Sequence, residues 1–256
     1  MTIMKTNTMM RVASVLLVAV LLSTCVISGT FAKYTTSATG SDSARVAKWG
    51  IKMGSDDTDA FVAVYDAADD NQVDGNGEPV VAPGTSGAAS YKVTGAPETD
   101  YEITFDASGI TDVVLKAGTY TYTGTGMSYG DAITVANDYY PVKYYITITT
   151  ASGDIIDKTT SNASTVFSTG VKSTAFNTLT EALAALENVK VVYEAREESG
   201  LTVAIDWEWA FTQSADQNDT ILGDLAAGNT ELTASVNTSS TNVAYTLTMT
   251  ATQIGD

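Results

Sequence analysis

From Val203 to Phe211 every second residue is large and apolar: Val203, Ile205, Trp207, Trp209 and Phe211. The residues between them, Ala204, Asp206, Glu208 and Ala210, are small or acidic. Successive side chains of a strand point to opposite faces, so this run offers one face to a core and one to water. A helical period would mix the two sets. The same period runs through Val142–Thr149, where Val142, Tyr144, Ile146 and Ile148 oppose Lys143, Tyr145, Thr147 and Thr149. It recurs in Val243–Ala251, where Val243, Tyr245, Leu247, Met249 and Ala251 oppose a row of Ala and Thr. Shorter runs predict strands at Arg45–Met53, Phe61–Asp66, Ala88–Thr94, Tyr101–Asp106, Thr119–Thr123, Ala132–Val135, Val189–Ala195 and Thr230–Val236. Gly, Asp, Asn and Pro punctuate the gaps, as in Asp69–Gly77 and Ala82-Pro83-Gly84. Many short strands divided in this way read as an all-β fold, an antiparallel β-sandwich of jelly-roll type.

One or two short helices interrupt the pattern. Thr178-Leu-Thr-Glu181 has the form of a capping box. Leu179, Leu183 and Leu186 follow at helical spacing, and Asn188 can end the turn. A second helix is predicted from Thr220 to Ala226, with Asp219 as its cap. No fixed-period repeat runs through the chain.

The first 32 residues have a different character. Lys5 and Arg11 precede an apolar stretch, Val12–Ile27, and then Ser28-Gly-Thr-Phe-Ala32. This is the layout of a secretory signal peptide, with cleavage expected between Ala32 and Lys33. The apolar run is short for a stable membrane span. An uncleaved anchor is one alternative, and lipidation at Cys25 within Leu22-Ser-Thr-Cys25 is another. Lys33–Ala44 is polar and small, and is expected to be flexible or extended against a neighbour. Residues 45–256 then form a single β-sandwich domain. Cys25 is the only cysteine, so this domain must hold together without disulfides, which suits a Gram-positive exterior.

The chain has 13 basic and 30 acidic residues. Lys5 and Arg11 leave with the signal, which holds no acid, so the remainder carries 11 basic and 30 acidic residues, a net of −19. Such a surface does not neutralise phosphates, which excludes nucleic acid as a partner. It favours solubility and cations.

The chain contains no histidine. That removes the usual serine and cysteine triads and the paired-imidazole zinc site. Asp206 and Glu208 share a strand face about 7 Å apart, a separation used in glycoside hydrolysis. They read more simply as the wet face of an amphipathic strand, and Trp207 and Trp209 as its core face. No catalytic residue is assigned. Calcium is the one cofactor considered. Asp66–Glu78 contains Asp70-x-Gln72-x-Asp74-Gly75, the opening of an EF-hand-like loop, but Val81 stands where the bidentate Glu belongs. Ser214–Asp224 supplies Asp216, Asn218, Asp219 and Asp224. The remaining sequence offers no other metal site.

Gly29–Gly50 (GTFAKYTTSATGSDSARVAKWG) resembles the N-terminal region of the SipW-dependent-signal-peptide proteins, the TasA/camelysin-like family of Gram-positive exported proteins. Asp206-Trp-Glu-Trp-Ala-Phe, Asp219-Thr-Ile-Leu-Gly223 and Thr250-Ala-Thr-Gln-Ile are similar to clostridial members, and Val81–Gly87 matches loosely. The resemblance implies a jelly-roll protein processed by a SipW-type signal peptidase, secreted, and placed in the extracellular matrix or on the cell surface. It implies a TasA-like biofilm fibre subunit that joins other copies head to tail, or other matrix proteins. The freed segment from Lys33 to about Trp49, including Tyr34, Val46 and Trp49, would be the donor strand. The family's camelysin-type peptidase activity sits badly with a chain lacking histidine. The rival reading is a monomeric surface adhesin or carbohydrate-binding module using loops at one end of the sandwich.

Overall fold

The computed structural model describes residues 12–17, 48–57, 64–65, 68–71, 81–123, 132–236 and 239–255. The chain divides into two units, Met1–Val46 and Ala47–Asp256. In the first, residues 12–17 form a short helix, α1, inside the predicted signal. Among the described residues no helix is long and apolar enough to cross a membrane. Ala32, Lys33, Tyr34, Val46 and Asp74 lie outside the described residues.

The second unit is an all-β antiparallel sandwich. One sheet has six strands. Its spine is β4 (Thr85–Thr94), β11 (Leu201–Trp209) and β8 (Val142–Thr149), with β1 (Lys52–Asp57), β2 (Val64–Tyr65) and β3 (Ala68–Asn71) beyond β4. A second sheet runs β13 (Ala244–Gln253), β5 (Tyr101–Thr111), β10 (Val189–Tyr193), β9 (Asp154–Asp157). A third is small: β12 (Leu232–Ala234), β6 (Gly118–Tyr122), β7 (Ala132–Val135). All pairings are antiparallel. The inner faces share one core, which takes Val93, Ile146 and Trp207 from the first sheet, Tyr101, Ile103 and Val191 from the second, and Tyr120 and Ile133 from the third.

Alternation places the core as expected in β8 and β11. Val142, Tyr144, Ile146 and Ile148 are buried, as are Leu201, Val203, Ile205, Trp207 and Trp209. Phe211 is the exception: the strand stops at Trp209 and Phe211 is 70% exposed. The cause lies in the neighbours. Trp209 pairs with Thr85 and Val142, and just beyond these stand Pro83-Gly84 and Pro141. Proline has no N–H for a ladder, so residues 210–211 have no strand to join. Across from Trp207 is Gly87, where a Cβ would sit 2.7 Å from the indole nitrogen, so glycine leaves room for the ring.

Other boundaries also shift. The strand predicted at Arg45–Met53 starts at Lys52 and runs on to Asp57, the acidic loop predicted at Asp66–Glu78 contains β3, and β9 was not anticipated. Helix α2 (Leu179–Glu187) matches its prediction. Thr178 caps it, its Oγ1 accepting from the Glu181 N–H at 3.0 Å, and Asn188 ends it. Leu179, Ala182, Leu183 and Leu186 are buried against the sheets. Helix α3 (Asp216–Ala226) begins a turn before the predicted Thr220. Its N-cap is Ala215, and Asp219 lies inside the first turn, its N–H already bonded to the Ala215 carbonyl.

Candidate functional site

A sheet edge is a row of unpaired N–H and C=O groups that can accept another strand, and natural proteins protect such edges with charge, proline, brevity or a covering segment. In the six-stranded sheet, β8 is covered: Gly170 and Ser173 donate to Ile148 and Ile146, and Tyr144 and Phe176 exchange backbone bonds. On the far side of that sheet the strands are short: β1 has six residues, β2 two and β3 four. In the second sheet, β9 is met by the 162–164 turn, with Ser164 donating to Ile155 and Asp157 to Asn162. The third sheet ends in strands of three and four residues.

The strand β13 has none of these devices. It is ten residues long, AYTLTMTATQ, with no charge and no proline. It pairs with β5 from Ala244 to Gln253, and among the described residues nothing pairs with its other edge. Its predicted core row, Tyr245, Leu247, Met249 and Ala251, packs on the core yet is only half-buried, as befits a marginal strand. Thr246, Thr248, Thr250 and Thr252 are exposed. The strand is nevertheless firmly placed. Tyr245 meets Tyr91 of the opposite sheet, hydroxyl to hydroxyl at 2.7 Å, with the rings edge to face. Burial and this contact both push the Tyr245 phenol well above its usual pKa, so it stays neutral.

Of the predicted donor-strand residues, Trp49 is placed. It is half-exposed, its ring edge-on to Tyr101 with centroids 6.3 Å apart. Beside it Lys48 exchanges two bonds with Glu98: its N–H donates to the carboxylate at 3.0 Å, and its carbonyl accepts from the Glu98 N–H. The chain is therefore pinned to the sandwich from Lys48 onward, next to Tyr101, the residue opposite Gln253 at the end of β13.

The carboxylates singled out on β11 are both engaged. Asp206 pairs with Lys172 at 3.3 Å, Glu208 accepts from the Tyr145 hydroxyl at 2.5 Å, and the Lys172 ammonium lies 4.2 Å from the Tyr145 ring centre. They form the wet face of the sheet. Trp207 and Trp209 are core residues and are not available to stack on a sugar.

The acids considered for calcium do not come together. Asp70 is in β3, while Asp216, Asp219 and Asp224 are spread along α3. Asp219 accepts from the Tyr139 hydroxyl at 2.8 Å, and Asp224 accepts from Tyr122 and Asn229. Among the described residues no three acidic, cysteine or histidine side chains converge on a metal position. One acid that sequence reading passed over is Asp112, whose carboxylate accepts from the Leu179 and Thr180 N–H groups and the Thr180 hydroxyl at the start of α2.

The chain matches no protein-family model, no curated protein and no solved structure.

Proposed function

We propose that this protein is an exported structural subunit of an extracellular matrix fibre or surface layer of a Gram-positive bacterium. Copies join head to tail, the N-terminal segment of one adding as a strand to the β13 edge of the next. The observation that carries this reading is β13 itself, a long, uncharged edge strand tied to the opposite sheet through Tyr245 and Tyr91. Strand addition gains affinity from main-chain bonds along such an edge. The lengths agree. Ten residues of β13 extend about 34 Å, and the twelve residues of Lys33–Ala44 about 40 Å when extended. The contact joins two different surfaces, so it propagates unless its rotation closes a ring. The signal-like N-terminus supports export by a SipW-type peptidase, and the absence of histidine argues against a peptidase role.

The test is negative-stain electron microscopy of the secreted protein. Filaments are expected from the parent chain. They should be lost on deleting Lys33–Ala44, and equally in the Thr248→Lys/Thr250→Lys variant, with circular dichroism and melting unchanged in both. Filaments that survive both changes would defeat the scheme.

A further inference from the structure

An open cleft of about 800 Å3 lies at the end of the sandwich where β8 and α2 begin and where β11 leads into α3. We propose that it binds a neutral oligosaccharide. The lining holds one ammonium, Lys143, against two carboxylates, Asp138 and Glu181, so it carries no excess of positive charge. Lys143 donates to the Asn177 side chain at 2.8 Å, Glu181 accepts from the Asn177 N–H, and Asp138 is held by Lys116 at 2.7 Å and the Ala117 N–H. The first N–H groups of α2 are taken by Asp112 and Thr178. With no excess of positive charge in the lining the cleft does not favour an anion, and the acidic surface of the whole chain repels phosphates and carboxylates.

What the cleft leaves open is neutral. The Asn218 amide and the Thr212 and Ser214 hydroxyls line it and take no side-chain hydrogen bond among the described residues. Each both donates and accepts, which matches a ligand made of hydroxyls. In the same lining, the partly exposed rings of Tyr139 and Tyr140 supply flat apolar surface for the C–H faces of sugar rings. The Trp209 indole N–H lies beside Tyr139 and Asp219, buried and without a well-formed hydrogen bond to either. A peptide fits less well, because the outer edge of β8 is already covered by the 170–176 segment.

This inference stands apart from strand addition, since the β13 edge contributes nothing to the cleft. The test uses protein purified from a secreting host, titrated by calorimetry with chitohexaose, cellohexaose and maltohexaose at millimolar concentration. At least one should bind, and Asn218→Ala and Tyr140→Ala should each weaken that binding about tenfold, the worth of one good contact. Melting temperatures and filament formation should match the parent. Silence from all three sugars, or affinity unchanged in both variants, would overturn the assignment. So would a preference for an unstructured peptide over every sugar.

Discussion

Asp219 is a carboxyl held in the wrong solvent. It sits half-buried in the first turn of α3, and burial raises its pKa above the ordinary carboxylate value, while the Tyr139 hydroxyl, the largest opposing influence, pulls the other way. The raised value means that the folded state holds this proton more tightly than the unfolded chain does. Stability from this group is then greatest below the unfolded pKa and is lost as pH rises through the folded one. Asp219→Asn keeps an oxygen for Tyr139 and removes the titration. Melting temperatures of the two proteins, compared from about pH 3.5 to 7, should shift in favour of the variant as pH rises through and above the carboxylate range. A difference that stays flat with pH would show that burial does not control this group. Gly153 makes a steric case at the same scale. A Cβ there would press into the ring of Tyr193 and onto Val191. That ring cannot move aside, being stacked on Tyr101 with centroids 4.7 Å apart and joined through its hydroxyl to Thr150. Gly153→Ala is expected to cost about 1–3 kcal/mol by urea denaturation, the usual cost of overpacking. Gly223, with open space where its Cβ would be, serves as the control that should not lose stability.

The start of α2 shows how an element can be half legible. Thr178 and the Leu179, Leu183, Leu186 stripe are local signals, and both read correctly. Asp112, 67 residues before Leu179, was invisible because only the fold brings it there. With Asp112 on the first two N–H groups, Glu181 turns back to the Asn177 N–H instead of completing the box at Thr178. Asp112→Ala therefore strands two backbone donors and a hydroxyl. It should cost about 1–3 kcal/mol, against about 1 kcal/mol for Thr178→Ala, both read as shifts in the urea midpoint. Equal losses would mean that water replaces the carboxylate freely. Strands divide in the same way. The inside of β8 follows from its alternation, but the end of β11 depends on prolines in its two neighbours, so Phe211 was misplaced in the core. β9 has four residues, Asp-Ile-Ile-Asp, too few to show a period, and only its pairing with β10 defines it. The candidate edge was equally hidden, since β13 reads as a strand from its residues but as an edge only once its partners are known.

At the scale of the molecule, two opposing terms govern association. The β13 edge favours pairing, and a net charge of −17 on the whole chain, or −19 without the first 32 residues, opposes it. The edge carries no charge of its own, so the repulsion comes from surfaces farther away and acts across solvent. Screening shortens its reach from about 30 Å at 0.01 M salt to about 10 Å at 0.1 M and 3 Å at 1 M, while contacts within the added strand are little affected. Filament growth followed by light scattering should therefore be slow in dilute buffer and accelerate as salt is raised. Mild acid, which protonates exposed carboxylates, should act in the same direction. Sodium chloride should act as well as calcium chloride at equal ionic strength, because no described carboxylates converge to hold the divalent ion. A response confined to calcium would place the control of assembly in a specific cation contact between copies. Growth that slows with salt would mean that the subunits attract through opposite charges, and that β13 is not the surface on which they meet.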